Sequence, residues 1–142
     1  AQPRRFPLFV QGHIEAAMAI GSIYGWGQGV VIDYERAMAA YKIGAKMGDS
    51  MCQYHVGYMY VQGRGVAVDY EQARPWLEKA AAQDYPAAVS DLGYMYYTGQ
   101  GVISSWRRAR ELLERAIELG STEAVGCMQN LNEDIQQVRQ HV

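Results

Sequence analysis

A chain of 142 residues has room for one domain with a hydrophobic core, since roughly 70% of the unfolded surface is typically buried at that length. Its 49% apolar and 20% charged residues exclude an intrinsically disordered chain, which lacks the apolar surface to offset conformational entropy. The formal charge of -2, with 13 scattered basic residues, argues against a nucleic-acid partner. No apolar run approaches the roughly 20 residues that cross a bilayer.

Residues 1–11 precede the first regular pattern. The segment FPLFVQG can be overlaid on the segments around Ala45 and Ala81, with Phe9 at the matching position. Since those segments are predicted to close helices, residues 1–11 are predicted to be an N-terminal cap or the remnant of a preceding repeat. Phe6, Leu8 and Phe9 are then expected either to cover the core or to mediate self-association.

A 36-residue step follows and runs without a gap through three repeats, 12–47, 48–83 and 84–119. Such self-similarity is the signature of repeat proteins, in which one unit cannot bury its apolar face alone. The recurring positions, which are interpreted as structural, are a glycine and a tyrosine before a loop, a glycine inside it and an alanine after it. They are Gly21, Gly57, Gly93, Tyr24, Tyr60, Tyr96, Gly29, Gly65, Gly101, Ala37, Ala73 and Ala109.

Each repeat is predicted to be two helices joined by a glycine-rich loop. Apolar side chains recur at helical spacing before the loop, as at Ile20 and Tyr24, and again after it, as at Ala37 and Tyr41. We call these segments helix A and helix B. The loop glycines make positive φ cheap, and a small polar residue then caps helix B. The predicted caps are Asp33, Asp69 and Ser105.

The last segment, 120–142, has helical spacing but no Gly-x-Gly loop, and is predicted to be a capping helix. Its expected inward residues are Val125, Met128, Leu131, Ile135 and Val138, with polar residues such as Asp134 on the opposite side. The predicted fold is all-α: one domain, 1–142, formed by a right-handed α-α superhelix (solenoid) of three 36-residue helix-turn-helix repeats plus this terminal helix.

The second and third repeats contain the segments VGYMYVQGRGVAVDYEQARPWLEKAAAQD and LGYMYYTGQGVISSWRRARELLERAIELG. Both resemble the Sel1-like repeat, a relative of the tetratricopeptide repeat with a longer loop, and the resemblance covers nearly the whole chain. It implies an adaptor or regulator that holds partner proteins, as in many bacterial envelope, secretion and signalling proteins. The chain lacks the paired cysteines of one secreted subgroup of that family.

The compartment stays open on the sequence. The chain starts without Met, which fits a cleaved signal peptide, a trimmed tag or an excised fragment equally. A bacterial periplasmic or secreted location is favoured, and the cytoplasm is the alternative. Cys52 and Cys127 are expected to be free thiols, and no metal or cofactor is predicted, because neither cysteines nor histidines show ligand spacing.

The resemblance implies that helix A lines a concave face, where large amphipathic and adaptable side chains would bind a partner. The predicted partner-binding residues are Met18, Trp26, Met51, Tyr54, Tyr58, Tyr94 and Tyr97. The alternative is that several of these tyrosines pack between helices with only their hydroxyls at the surface.

The predicted function is a protein-protein interaction module that binds a peptide or protein partner and acts as an adaptor, scaffold or regulator, including an inhibitor of the immunity type. The alternative is a glycan- or peptidoglycan-binding envelope protein, since aromatic faces also stack on sugars. An enzyme is not predicted: Glu15 and Glu123 are the only carboxylates expected on the concave side, at opposite ends of the repeats. Partner identity and oligomeric state stay open.

Overall fold

The computed structural model describes residues 8–27 and 29–141, with side chains from Gln11 onward. Within these residues the regular structure consists of seven α-helices and no strand. This confirms the predicted all-α fold with helical hairpins. The helices are α1 (Leu8–Trp26), α2 (Tyr34–Lys46), α3 (Ser50–Gln62), α4 (Tyr70–Ala82), α5 (Pro86–Thr98), α6 (Trp106–Glu118) and α7 (Thr122–Gln140).

Contacts divide the chain into two compact units, 1–76 and 77–142, with the boundary inside α4. In the first unit, α2 packs against both α1 and α3. In the second unit, α6 packs against α5 and α7, and α7 also contacts α5. No helix within the described residues is long and apolar enough to cross a membrane.

The loops have the predicted chemistry. Asp33 accepts a hydrogen bond from the backbone N–H of Arg36 at 3.1 Å, and this closes the first turn of α2. Asp69 and Ser105 make the same contact at the next two loops. These side chains satisfy backbone donors that have no partner inside the helix. The loop therefore restarts the chain as helix B in each repeat.

Helices A and B pack closely at the predicted small residues. Ala37, Ala73 and Ala109 have no exposed surface. A Cβ atom added at Gly21 would lie 2.6 Å from the Tyr41 ring, and one added at Gly93 would lie 2.9 Å from a Leu113 methyl group. A side chain at either glycine would crowd a helix B side chain that must then move, which explains why glycine suits this position.

The start of α1 corrects the overlay of FPLFVQG on a closing helix. Helix α1 runs unbroken from Leu8 through Gly12, where the overlay required a helix to end. The equivalent Gly48 has positive φ, and Asp49 then caps α3, whereas His13 follows Gly12 and has no short side-chain oxygen for a cap. Without a restart signal the helix continues. The predictions for residues 1–7, including Phe6, and for the side chains of Leu8 and Phe9 lie outside the described residues.

Helix α7 buries a narrower face than the sequence predicted. Leu131 is fully buried, as expected, but Val125 and Val138 are 45% and 54% exposed. Asp134, which was assigned to the polar side, instead accepts a hydrogen bond from the Tyr97 hydroxyl of α5. The prediction for these three residues was wrong, and for Asp134 the reason is that α7 contacts α5 as well as α6, which apolar spacing alone did not show.

Candidate functional site

The first unit contains an open aromatic cleft. Its walls come from the end of α1, the start and middle of α2, the second half of α3 and the loop after α3. We use the name aromatic cleft for the space lined by Gly25, Trp26, Tyr34, Tyr41, His55, Tyr58, Met59 and Arg64.

Tyr41 and His55 form a stacked pair in this cleft. Tyr41 is 2% exposed, and its ring lies 4.6 Å from the His55 ring with 20° between the planes. The Tyr41 hydroxyl lies 3.4 Å from Ser22 Oγ, so its polar end has a partner on α1. Burial lowers the pKa of His55, an effect that the charge of Asp49 partly opposes. The imidazole is therefore neutral near pH 7.

Arg64 brings a cation to the cleft. Its guanidinium carbon lies 5.4 Å from the centre of the Tyr34 ring and 5.7 Å from the centre of the Tyr58 ring, within cation–π distance of both. Its backbone N–H donates to the Met59 carbonyl at 3.0 Å. Among the residues that the structure describes, no carboxylate pairs with this guanidinium.

The loop that carries Arg64 lies close against α2 because the residue after Arg64 is a glycine, which has no side chain. A Cβ atom added at Gly65 would lie 2.7 Å from the backbone carbonyl carbon and oxygen of Tyr34. Gly65 also has a φ of +74°, in the left-handed region that other residues rarely adopt. Both constraints require glycine, and together they fix the backbone position from which Arg64 reaches the cleft.

Trp26 lies at the rim of the cleft with 57% of its surface exposed. Tyr58, from α3, lines the same space and is half-buried. Tyr54 lies beside Tyr58, with 5.8 Å between the ring centres. Of the predicted binding residues in this unit, these three are therefore close together, and Met18 and Met51 are half-buried on α1 and α3.

The two predicted binding residues of the second unit differ from each other. Tyr94 is 50% exposed and meets the Tyr97 ring edge-on at 6.3 Å. Tyr97 is half-buried and donates its hydroxyl proton to Asp134 on α7, and this hydrogen bond raises the pKa of Tyr97 to about 12. Tyr97 also packs edge-on against Trp106. Tyr94 thus offers open surface, whereas Tyr97 joins α5 to α7.

Sequence reasoning did not assign six of the eight lining residues of the cleft to a site, and the four with polar groups are Tyr34, Tyr41, His55 and Arg64. Comparison of the repeats with each other contains a signal for two of them. Arg64 occupies the loop position that is Gln100 in the third repeat, and Tyr41 occupies the helix B position that is Leu113. Departures of one repeat from its neighbours could therefore have pointed to the cleft.

The recurring tyrosines of helix A each lie under a cation. Arg36 lies 5.5 Å from the Tyr24 ring, Lys42 lies 5.5 Å from Tyr60, and Arg108 lies 5.9 Å from Tyr96. Tyr60 is buried, and the other two rings are half-buried. Arg36 and Arg108 hold the same position in their repeats. These contacts join neighbouring helices within each unit.

The described residues contain no group of three or more His, Cys, Asp or Glu side chains that could hold a metal ion. Cys52 is fully buried, and burial raises the pKa of its thiol, so the less reactive protonated form dominates near pH 7. Glu15 and Glu123 are both exposed, on α1 and α7 of different units.

Helical hairpins that repeat every 36 residues, with glycine loops at equivalent positions, define a repeat protein of the α-solenoid class. The Sel1 repeat family matches residues 14–49, 50–85 and 86–121. The chain belongs to the Sel1 repeat family. These segments have the same 36-residue length as the predicted repeats, and the first begins at residue 14 rather than 12. Sel1 repeats generally mediate protein-protein interaction and are typical of non-enzymatic scaffold modules.

Two solved structures are similar in both sequence and fold. A Sel1 repeat protein from Oxalobacter formigenes is 35% identical over 78% of this chain and 45% of its own, with a TM-score of 0.75. The protein c5321, a protective antigen present in uropathogenic Escherichia coli strains, is 34% identical over 80% of this chain and 24% of its own, with a TM-score of 0.77. This chain therefore spans less than half the length of either protein.

Helicobacter pylori cysteine rich protein B shares the fold, with a TM-score of 0.65 at 22% identity, over 83% of this chain and 90% of its own. No curated protein matches the sequence closely enough to count as a relative.

Proposed function

We propose that this chain binds a peptide or protein partner and acts as an adaptor, scaffold or regulator, including an inhibitor of the immunity type, without catalysing a reaction. The aromatic cleft of the first unit is the main contact surface. The observation that carries this proposal is an exposed indole, Trp26, at the rim of a cleft with half-buried tyrosine walls.

The side chains of the cleft have the chemistry that favours protein binding. Trp, Tyr and Arg are enriched among the few residues that dominate binding energies, and such residues lie in pockets that a partner seals from water. Trp26 supplies a large apolar area that is now in water, while Tyr58 and Arg64 hold each other in place. Little conformational entropy is therefore lost when a partner covers the cleft.

The remaining predicted binding residues are proposed as contacts within each unit separately. In the first unit, the half-buried Met18 and Met51 add adaptable apolar contact, since the thioether side chain fits irregular partners. In the second unit, Tyr94 adds an exposed ring. The full proposed contact set is Met18, Trp26, Met51, Tyr54, Tyr58, Tyr94 and Tyr97.

The test compares two alanine variants with equal exposure in the first unit. Trp26 and Ile43 are both 57% exposed, but only Trp26 lines the cleft. Each immobilised variant is challenged with native lysate, the captured proteins are quantified by mass spectrometry, and the strongest candidate is purified and titrated. We expect Trp26→Ala to weaken the Kd by about tenfold or more and Ile43→Ala to leave it unchanged.

Equal Kd values for the intact chain and both variants would remove the cleft from the proposed surface. A Tyr94→Ala variant with a weakened Kd would then locate the partner on the second unit. Circular dichroism of each variant establishes that a loss of binding is not a loss of helix.

A glycan is the second candidate, favoured by the exposed indole of Trp26, because such faces stack on sugar rings. Soluble peptidoglycan fragments are therefore titrated against the same pair of variants. Saturable binding that Trp26→Ala abolishes, without any captured protein, would replace the protein partner with a glycan.

A further inference from the structure

The aromatic cleft has an unbalanced charge. Of its eight lining residues, Arg64 alone carries a full charge near pH 7, since His55 is neutral there and the rest are aromatic, aliphatic or glycine. No described carboxylate pairs with Arg64. By contrast, Arg115 in the second unit is paired with Asp84, and Arg108 lies 3.4 Å from Glu111.

We propose that the aromatic cleft binds a partner segment through one acidic side chain, Asp or Glu, which pairs with Arg64 while a neighbouring aromatic or aliphatic side chain of that segment covers Trp26. This inference rests on the proposed function and names the class of segment that the cleft accepts. The occupant is an acidic side chain within a peptide chain, flanked by an apolar one.

The contacts of Arg64 leave it able to bind a carboxylate. Tyr34 and Tyr58 contact the guanidinium as cation–π partners, with their ring centres 5.4 and 5.7 Å from its central carbon. A carboxylate instead binds in the guanidinium plane, through the fork of N–H donors. Among the described residues the guanidinium N–H donors make no side-chain hydrogen bond or ion pair, so they are available to a carboxylate. The rings also limit its rotation, which lowers the entropy lost on pairing.

The position of Arg64 in the repeat supports a role beyond folding. The equivalent loops of the first and third repeats read GQG, with Gln28 and Gln100 where the second repeat has Arg64. The third repeat adopts the same loop with glutamine, since Gly99 and Gly101 have positive φ as Gly63 and Gly65 do. Arginine is thus not required to form this loop.

An acidic side chain fits the cleft better than the free carboxylate of a chain terminus does. Terminal carboxylates are typically captured by several backbone N–H donors in a concave nest. The backbone N–H of Arg64 is already bonded to the Met59 carbonyl. The cleft offers one side-chain cation with aromatic walls, which matches a single acidic side chain next to an apolar one.

The test uses two peptides that differ in one atom group, Ac-Gly-Phe-Glu-Gly-amide and Ac-Gly-Phe-Gln-Gly-amide. The full chain is labelled with 15N at its tryptophan indoles, the Trp26 signal is assigned with a Trp26→Phe variant, and each peptide is titrated while that signal is followed. We expect the Glu peptide to bind about five- to tenfold more tightly than the Gln peptide at low salt, and the ratio to fall as salt screens the pair.

Two variants test whether Arg64 is the group that binds the Glu side chain of the peptide. Arg64→Gln gives the second repeat the loop that the third repeat already folds with, so we expect it to stay folded and to bind both peptides equally. Arg107→Gln removes an exposed arginine of α6 outside the cleft and should keep the full preference. A preference that persists in Arg64→Gln would overturn the proposal.

Other outcomes also decide between the proposals. Equal shifts of the Trp26 signal with both peptides would overturn the acidic class and leave the cleft as a contact surface. Stronger binding of Ac-Gly-Gly-Phe with a free terminal carboxylate would replace the acidic side chain with a chain terminus. No shift with any peptide at millimolar concentration would overturn the acidic assignment, and the Kd comparison of Trp26→Ala with Ile43→Ala would still test partner binding itself.

Discussion

Tyr41 in the first unit and Leu113 in the second hold the same helix B position, two 36-residue steps apart, and each packs on the glycine of its own helix A. Leu113 is a fully buried aliphatic side chain. Tyr41 instead stacks on the His55 ring and lines the cleft. One aromatic substitution at a core position thus gives the first unit a surface feature while the helix pairing is kept.

Polar side chains join helices in both units, as Tyr41 and Ser22 do in the first. In the second unit Tyr97 donates to Asp134, and the guanidinium of Arg110 donates to Asn132 at 2.7 Å, both between earlier helices and α7. In the first unit the Arg64 guanidinium has two cation–π contacts and no ion pair or side-chain hydrogen bond among the described residues. Buried or half-buried polar groups normally find partners, so a cation held by rings alone favours a partner from outside.

Alanine at Gly65 should have the largest effect, because it displaces the loop that distinguishes the first unit. The new Cβ would lie 2.7 Å from the Tyr34 backbone, and the left-handed φ adds about 1–2 kcal/mol of strain. Gly29→Ala is the matched control, since it has the same kind of φ and no described atom within 4 Å of the added Cβ. We expect urea unfolding to show a loss of about 3 kcal/mol for Gly65→Ala and about 1 kcal/mol for Gly29→Ala.

Similar losses for the two variants would mean that the loop is not seated on α2, and that the position of Arg64 is not fixed by the backbone.

Alanine at Gly21 and at Gly93 compares the two interiors directly. At Gly21 the added Cβ meets the Tyr41 ring, which is stacked on His55 and has little room to move. At Gly93 it meets a methyl group and the Cγ of Leu113, at 2.9 and 3.0 Å, and this one aliphatic side chain can adjust at lower cost than a stacked ring. Since alanine also favours helix by about 0.5–1 kcal/mol, we expect Gly21→Ala to lose about 2 kcal/mol and Gly93→Ala to stay within about 1 kcal/mol.

A second substitution shows whether the ring causes that loss. Tyr41→Leu in the Gly21→Ala background gives the first unit the aliphatic neighbour of the second, and thermal unfolding should recover part of the stability. No recovery would place the strain in the α1 backbone rather than in the aromatic interior.

The fold could be read from the sequence because its determinants are local and repeat three times. Loop glycines, the caps Asp33 and Ser105 and the small residues Gly21 and Ala37 each act within one hairpin, so their spacing alone carried the prediction. The ends were predicted less well. Gly12 has the residue type of a helix end without the cap that must follow, and Asp134 faces inward through a contact with an earlier helix.

The site was only partly predictable, because it depends on side chains from three helices and a loop that meet in space. Trp26 and Tyr58 were selected for their chemistry, and both line the cleft. Arg64 was not selected, since its distance from Tyr34 cannot be obtained from a pattern based on helix A alone. That the seven selected residues bind a partner stays a prediction for the binding measurements.

Tyr97→Phe tests the polar tie of the second unit and should cost about 1 kcal/mol at neutral pH, a typical value for one hydrogen bond. The bond to Asp134 raises the pKa of Tyr97 from 10.0 to about 12. A raised pKa means that the contribution is complete below pH 10 and is lost as the pH rises toward 12. The stability difference between the intact chain and Tyr97→Phe should therefore close over that interval.

Ultraviolet titration gives an independent measurement, because Tyr97→Phe should remove one tyrosine that ionises near pH 12. A variant as stable as the intact chain at pH 7 would show that the Tyr97–Asp134 bond does not help to hold α7, and would leave that role to the Arg110–Asn132 bond and to apolar contacts such as Leu131.

The titration of His55 should have the smallest effect on stability, and this effect should appear as the pH falls rather than as it rises. Burial lowers its pKa in the folded chain below the ordinary value of 6.5, so the unfolded chain takes up the proton more readily. Its contribution is thus complete above pH 6.5 and declines as the pH falls below that value toward the folded pKa. We expect the chain to be slightly less stable to urea at pH 5.5 than at pH 7.5.

His55→Phe keeps a ring against Tyr41 but cannot take up a proton, so its stability should depend less on pH over this interval. An unchanged pH dependence in His55→Phe would show that His55 is not its source. Because a protonated His55 would add a second cation to the cleft, the same variant also shows whether tighter binding of an acidic peptide at pH 5.5 comes from the imidazole or from Arg64 alone.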